Sequence, residues 1–357
     1  MRSALLWSLG LVSVVGLAFD WTQHIGGSAD RVAPVVTADS SGSVFLAAYT
    51  ESTDIYFNGS LVLTRGAERR AGDLVVFKVA GGDGSLLWAE APSAGDGRVG
   101  AIAIATDASD NLYIAGTGSG TSTIGSTTIT ANGGTDYFLA KISSSGVWQW
   151  ATHAGGQGTE WGYDLFLAVT AAGDAFITDR ILKSHAFTFG SINVADDNVE
   201  GSSGADVLVA KCSSDGVWAW VATSAKPVAR HIDSAIEAIA LLPSGGVAIA
   251  GTYGGGSSAG SSYPGTIAFG SAATLTSAGN QDAFVARVSD AGVWEWAASG
   301  GGPDTDVTGI SVAADGSMKF DRHHEVPGKR RRELRRSPIR LHRFDVRRPL
   351  RVLQLLW

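Results

Sequence analysis

The chain has 357 residues, of which 47 are glycine and 17% are charged, and its formal net charge at pH 7 is −7. The apolar fraction of 45% argues against a disordered low-complexity protein, in spite of the many Gly and Ser residues. Apolar residues at helical spacing are missing before residue 319, and short apolar runs instead alternate with Gly, Ser, Asn and Asp turns. The sequence therefore predicts an all-β fold.

Residues 1–18 resemble a secretion signal peptide. Arg2 supplies the positive start, an apolar stretch follows from Ala4 to Leu17, and small residues precede a cleavage point after Ala18. A retained membrane anchor is the alternative, although a spanning helix needs about 20 apolar residues. The signal peptide predicts a secreted, extracellular or cell-surface location. Because the chain has one cysteine, it cannot form an internal disulfide, and its stability must come from a large hydrophobic core.

One segment recurs four times, each time as an Asp, an apolar run and a Lys or Arg. The copies begin at Asp73, Asp136, Asp206 and Asp282. A tryptophan strand follows each copy and ends on Trp88, Trp150, Trp220 or Trp296, at spacings of 62, 70 and 76 residues. Two further strands precede each Asp segment, so one repeat holds about four strands. A variable stretch lies between these two strands and the Asp segment, and in three copies it contains the sequence Ile-Gly-Ser or Phe-Gly-Ser.

The pattern makes specific predictions for the side chains of the repeat. Strand alternation predicts that both rings of a Trp-x-Trp strand lie on one side of the sheet. The Asp and Lys that flank the third strand are interpreted as a turn cap and a solvated strand end. Cys212 takes the position of apolar residues in the other copies and is predicted to be a core residue.

These repeats resemble the secreted bacterial-type β-propeller repeats known as SBBP repeats. The resemblance rests on the Asp-rich turn, the strand Leu112-Tyr-Ile-Ala-Gly116, the strand Asp136-Tyr-Phe-Leu-Ala-Lys141 and the closing pair Gly155-Gly156, and it covers residues 19–318. It implies a β-propeller of tandem four-stranded blades, with four full repeats and a partial fifth, in a ring that is either closed or open. The third copy departs at Asp179, where Gly is expected, and the fourth at Ala248, where an aromatic residue is expected.

The resemblance implies a non-enzymatic binding or structural scaffold with an unknown protein or glycan ligand. No catalytic, metal-binding or cofactor motif emerges from the sequence. The turn Ala80–Trp88 also resembles quinoprotein repeats, so the alternative is a propeller enzyme, such as a quinoprotein-like dehydrogenase, with its site in the central channel. Asn58-Gly-Ser60 is an acceptor for N-linked glycan if the secreting cell is eukaryotic.

Residues 319–357 break the pattern. This segment has 13 Lys or Arg residues and 4 Asp or Glu residues. The rest of the chain has 14 Lys or Arg residues and 30 Asp or Glu residues. Two interpretations remain open. Either a basic tail binds polyanions, including nucleic acid, or the segment is disordered or an out-of-frame translation, which sequencing the transcript across codons 310–330 tests.

Overall fold

The computed structural model describes twelve segments of the chain, and these contain strands and turns but no helix. They are residues 25–27, 34–64, 73–93, 95–160, 162–181, 186–194, 205–225, 232–255, 264–278, 281–300, 305–312 and 318–324. The all-β prediction is therefore confirmed for this part of the chain.

Taken in chain order, the strands group into repeats. Strand β1 (Ile25–Gly27) precedes the first repeat, which comprises β2 (Val35–Ala38), β3 (Val44–Thr50), β4 (Asp54–Phe57), β5 (Ser60–Thr64), β6 (Asp73–Val79) and β7 (Leu86–Glu90). The second comprises β8 (Arg98–Thr106), β9 (Leu112–Ser119), β10 (Thr121–Ile124), β11 (Thr127–Thr130), β12 (Asp136–Ile142) and β13 (Trp148–Gly156). The third comprises β14 (Phe166–Val169), β15 (Ala175–Ile181), β16 (Phe187–Phe189), β17 (Ile192–Val194), β18 (Asp206–Cys212) and β19 (Trp218–Thr223). The fourth comprises β20 (Ile232–Leu241), β21 (Val247–Gly255), β22 (Thr266–Phe269), β23 (Ala273–Thr276), β24 (Asp282–Val288) and β25 (Trp294–Gly300), and it is followed by β26 (Thr305–Val312) and β27 (Met318–His324).

Four strands of each repeat form one antiparallel sheet. Sheet 1 has the order β2-β3-β6-β7, sheet 2 β8-β9-β12-β13, sheet 3 β14-β15-β18-β19 and sheet 4 β20-β21-β24-β25. The predicted four strands of each repeat are confirmed as one sheet, and the Asp and Trp segments are its third and fourth strands.

The other two strands of each full repeat form a hairpin that the sequence analysis did not predict. These are hairpins 1 (β4–β5), 2 (β10–β11), 3 (β16–β17) and 4 (β22–β23). The Gly of the Ile-Gly-Ser or Phe-Gly-Ser mark lies in the turn, where Gly125, Gly190 and Gly270 have φ angles of 60°, 56° and 51°. Glycine adopts this left-handed conformation without steric cost, and in hairpin 1 Asn58 and Gly59 take it with φ angles of 48° and 80°.

Each hairpin forms main-chain hydrogen bonds with the strand that precedes its own repeat, or with residues just beyond the end of that strand. Strand β16 pairs with β13, which extends sheet 2 to six strands, and β4 pairs with β1. Beyond the end of β7, the amide of Ser93 donates to the carbonyl oxygen of Thr123 in hairpin 2 at 2.8 Å. Beyond β19, Ala225 forms a bridge with Ala268 of hairpin 4. Neighbouring repeats are therefore joined by main-chain hydrogen bonds as well as by packing.

A bulge at the start of each fourth strand corrects the prediction for the tryptophan rings. Lys141 of β12 pairs with Trp150 of β13, and the next residue, Ile142, pairs with Trp148. Strand β13 therefore has one extra residue, between the two tryptophans, that has no partner in β12. The extra residue changes the alternation of side chains across the sheet. Trp148 therefore packs in the core between sheets 1 and 2, whereas Trp150 packs between sheets 2 and 3. The two rings lie on opposite sides of the sheet, not on one.

The sheets stack face to face in chain order, with one hydrophobic core in each gap. Each core contains fully buried aromatic rings, for example Phe138 between sheets 1 and 2, Tyr113 between sheets 2 and 3, and Phe176 between sheets 3 and 4. Complete burial of such a ring contributes roughly 2–3 kcal/mol, so the large cores account for stability without disulfides. The first strands of successive sheets lie against one another, β2 on β8, β8 on β14 and β14 on β20.

Strand β26 pairs with β27 and packs against β20 and β21, so a fifth repeat begins after sheet 4. Strand β27 continues to His324, and the rest of the predicted basic tail lies outside the described residues, as does the predicted signal peptide. In the part of the chain that is described, no helix has the length and apolarity that a membrane span requires.

Candidate functional site

The aspartates that begin the third strands are buried, and two of them cap the preceding turn. Asp73, Asp136, Asp206 and Asp282 are between 0% and 3% exposed. The Oδ2 atom of Asp136 accepts the amide hydrogen of Asn132 at 2.9 Å, and Asp282 accepts that of Ala278 at 2.8 Å. The predicted turn cap is confirmed for these two residues.

The lysines at the other end of this strand are buried, which contradicts the predicted solvated strand end. In sheet 3, Lys211 forms ion pairs with Asp174 at 2.9 Å and Asp290 at 2.7 Å. Burial alone lowers the pKa of Lys211, but the hydrogen bonds to both carboxylates outweigh it, so the pKa is raised. Equivalent pairs in the first two sheets are Lys78 with Asp39 and Lys141 with Asp107.

An aromatic ring, a lysine and a tryptophan lie side by side on three neighbouring strands of sheets 1, 2 and 3. In sheet 3 the register partners are Phe176, Lys211 and Trp220. Lys211 Nζ is 5.4 Å from the centroid of the Phe176 ring, which lies 5.9 Å from that of Trp220. A cation over a ring face is attracted by the negative face of the π system. We call this set the aromatic–lysine–tryptophan row, and its other copies are Phe45, Lys78 and Trp88, and Tyr113, Lys141 and Trp150.

Each row is bonded to the next sheet by its tryptophan. The indole N–H donates to a carbonyl oxygen in the turn that precedes the next Trp strand, from Trp88 to Ser144 at 3.1 Å, Trp150 to Ser214 at 2.9 Å and Trp220 to Asp290 at 2.8 Å. In sheet 4 the ring of the row is replaced by Ala248, and Arg287 bonds instead to Glu295 and Ser244. The aromatic–lysine–tryptophan rows of sheets 1 to 3 therefore hold neighbouring sheets together.

Asp179, the departure in the third repeat, is a fully buried acid between sheets 2 and 3. Tyr137 Oη donates to its Oδ2 at 2.7 Å, and the amides of Asp164 and Arg180 each donate to its Oδ1 at 2.8 Å. Burial raises the pKa of Asp179 to about 6, although the hydrogen bonds from Tyr137, Asp164 and Arg180 act in the opposite direction.

The space for this side chain comes from a short first strand. Strand β14 has 4 residues, whereas β8 has 9 and β20 has 10. At Gly116 and Gly251, which occupy the same place in sheets 2 and 4, a Cβ atom would collide with a carbonyl oxygen of that longer strand. A phenylalanine also faces each glycine, while Leu208 faces Asp179. The carboxylate of Asp179 thus replaces main-chain and ring atoms that fill this space elsewhere.

Charged neighbours extend the Asp179 cluster towards sheet 4. Arg180 Nε lies 3.2 Å from Asp164 Oδ2, and the guanidinium is 5.1 Å from the centroid of the exposed Tyr163 ring. The amide of Ile236, in sheet 4, donates to the same Asp164 oxygen at 3.2 Å. The cluster can take up a proton near pH 6 but is engaged in joining three sheets, so its chemistry is structural.

The remaining predicted residues lie apart from this cluster. Cys212 is buried in the core, where burial raises the pKa of its thiol to about 12, and the core prediction is confirmed. Asn58 is exposed at the turn of hairpin 1, so its glycosylation stays a prediction. Among the described residues, no group of three or more His, Cys, Asp or Glu side chains is arranged to bind a metal ion.

Sequence reasoning identified Asp179 as a departure from the repeat but not its partners. The usable signal was the simultaneous change of Phe to Leu at Leu208, across the strand pair. Tyr137 and Asp164 carry no such signal, because their meeting depends on the approach of separate sheets. No protein-family model matches this chain, and no curated protein matches it.

Proposed function

We propose that this protein is a secreted or cell-surface β-propeller whose four-stranded sheets are the blades, and that it is a non-enzymatic scaffold that binds a protein or glycan through its hairpins and loops. The observation that supports this proposal is the repeated tryptophan bond at three successive sheet junctions. A propeller, whose blades are arranged around a common axis, requires similar junctions between successive blades, and the first strands of neighbouring sheets are in contact as such an arrangement also requires.

Several features favour binding over catalysis. The aromatic–lysine–tryptophan rows of sheets 1 to 3 and the Asp179 cluster are engaged in joining one sheet to the next. Hairpins 2 and 4 instead present threonine hydroxyls outward, with paired Oγ1 atoms 3.0 Å apart in Thr123 and Thr128 and 3.1 Å apart in Thr266 and Thr276. Specificity in such architectures lies in the exposed connections on a rigid frame.

Small-angle X-ray scattering tests the propeller arrangement. We expect the purified protein to scatter as a compact disc, because a common axis brings the first strands together. An elongated rod, in which the sheets stack without turning, would contradict the propeller.

Secretion is tested separately by expressing the full chain with a carboxyl-terminal tag. The proposal expects tagged protein in the medium with Phe19 as its first residue. Protein retained in the membrane with an intact amino terminus would contradict it.

A further inference from the structure

Hairpin 1 differs from the other three hairpins on its outward face. Its outward cross-strand pair is Tyr56 and Leu61, which are 37% and 54% exposed. In the other hairpins the register pair at this position is polar or small, namely Thr123 with Thr128, Thr188 with Asn193, and Ala268 with Thr274. Single exposed apolar residues are common on protein surfaces, but two large ones paired across a hairpin are neighbours and form a patch.

The strands of the hairpin hold this patch in a fixed position. Ile55 and Phe57, which flank Tyr56 along β4, are only 2% and 6% exposed and pack against sheet 1. Side chains alternate along a strand, so Tyr56 points away from that core. Tyr56 also pairs with Gly26 of β1, and β4 therefore has a partner strand on each side.

The turn of the same hairpin carries the glycan acceptor sequence. Asn58 and Gly59 are its two central residues, and both are exposed, as is Ser60. No other Asn in the chain is followed at the second position by Ser or Thr. Tyr56 precedes Asn58 by two residues and Leu61 follows it by three, so a glycan on Asn58 begins at the end of the apolar patch. An exposed turn is accessible to the transferase of a eukaryotic secretory pathway.

The chemistry of the patch fits the first sugar of such a glycan. N-acetylglucosamine has an apolar face of C–H groups and an acetyl methyl group, in addition to its hydroxyls. Packing these apolar groups against a tyrosine ring and a leucine side chain removes apolar surface from water on both sides, while the hydroxyls stay hydrated. The threonine pair of hairpin 2 offers only two methyl groups at the same position.

We propose that hairpin 1 is a glycosylation site with its own supporting surface, in which the first N-acetylglucosamine residue on Asn58 packs against Tyr56 and Leu61. This inference rests on the proposed secretion of the protein and adds the residue that is modified and the surface that the glycan covers.

The test uses the full tagged chain, secreted from a eukaryotic host that attaches high-mannose glycans. Peptide mass spectrometry identifies the glycan on Asn58. Endoglycosidase H then trims the glycan to one N-acetylglucosamine residue, and peptide N-glycosidase removes it entirely, so that three forms are compared by thermal unfolding. We expect the intact and trimmed forms to have the same Tm and complete removal to lower Tm by about 2 °C, because the first sugar alone contacts the patch.

Two variants serve as controls. Tyr56→Thr combined with Leu61→Thr installs the threonine pair of hairpin 2 and keeps the acceptor Asn58. Asn58→Gln combined with Ser126→Asn moves the acceptor to the exposed tip of hairpin 2, beside that hairpin's own threonine pair. In each variant the three forms should have equal Tm values, and the charge that peptide N-glycosidase leaves behind on conversion of Asn to Asp is present in all comparisons.

Secreted protein without a glycan on Asn58 would overturn the inference, as would a wild-type Tm that is unaffected by removal of the first sugar. A difference between forms that persists in the threonine variant would also overturn it. Secreted wild-type protein that is unglycosylated and dimeric in size-exclusion chromatography would assign the patch to a second copy of the chain. Protein that is absent from the medium would contradict secretion itself and overturn both proposals, so the two failures are distinguishable.

Discussion

Single residues decide how each repeat fills the space between two sheets. The same cross-strand position holds Gly opposite Phe in sheets 2 and 4, and Asp179 opposite Leu208 in sheet 3. A ring is thus exchanged for a carboxylate that takes main-chain amide bonds. This exchange conserves packing but adds a titratable group to a buried junction, and the stability of the fold should therefore depend on pH in a particular direction.

Asp179→Asn should remove that dependence. The folded-state pKa of Asp179 is about 6 against the ordinary value of 3.8. Because the folded state holds the proton more tightly, ionisation destabilises the fold as pH rises from about 4 to 6, by about 3 kcal/mol in total. Asn does not ionise, so the unfolding free energy of the variant relative to wild type should increase by about that amount between pH 4 and pH 7.5, as urea denaturation measures.

Asp215→Asn, at an exposed turn of the same repeat, controls for the loss of one negative charge. Its stability relative to wild type should stay nearly constant across the same pH range. A constant difference for Asp179→Asn as well would show that burial of Asp179 has no energetic consequence.

At the scale of strands, the bulge in each Trp strand decides which sheets the tryptophans join. The sequence predicts the Trp strands themselves, since apolar runs and turn residues are local signals. The sequence predicts the wrong side of the sheet for one of the two tryptophan rings. The prediction assumes that side chains alternate along an uninterrupted strand, and no residue type in these strands indicates the bulge that interrupts the alternation. The hairpins were missed for a related reason: their strands have only 3–5 residues and are stabilised by pairing with another repeat.

Trp150→Phe and Trp148→Phe form a matched pair within one strand. Trp150 donates its indole N–H to Ser214 in sheet 3, whereas the Trp148 indole nitrogen is buried and has no hydrogen-bond partner among the described residues. We expect Trp150→Phe to lower the unfolding free energy by about 1 kcal/mol more than Trp148→Phe does, since only the former breaks a hydrogen bond. Guanidinium denaturation measures both, and equal losses would assign the effect to ring volume alone.

At the scale of the whole molecule, the described sheets contact their immediate neighbours through the same kind of junction. The four strands of each sheet could be predicted from the sequence, because turn spacing counts them, but the two strands of each hairpin could not. The approach of separate sheets could not, as the buried ion pairs and Asp179 contacts demonstrate. Stability in such an array is expected to be the sum of sheet and nearest-neighbour contributions.

Trp150→Ala should therefore have a local effect on hydrogen exchange. Loss of this ring weakens the junction of sheets 2 and 3 by about 3 kcal/mol. Amide exchange measured by mass spectrometry should accelerate most in β12 and β18 and least in β24. Trp220→Ala is the control, because it weakens the junction of sheets 3 and 4 and should accelerate exchange in β24. Equal acceleration in all sheets would indicate one cooperative unit instead of additive junctions.

The attachment of each hairpin to the preceding repeat means that the unit of sequence and the unit of folding are offset. A gene segment that encodes one repeat supplies a sheet and also the hairpin that bonds to the end of the previous repeat. A tandem duplication of such a segment produces a copy that already fits the one before it and already accepts the one after it. Arrays of this kind can therefore lengthen during evolution by whole copies, without the invention of a new interface.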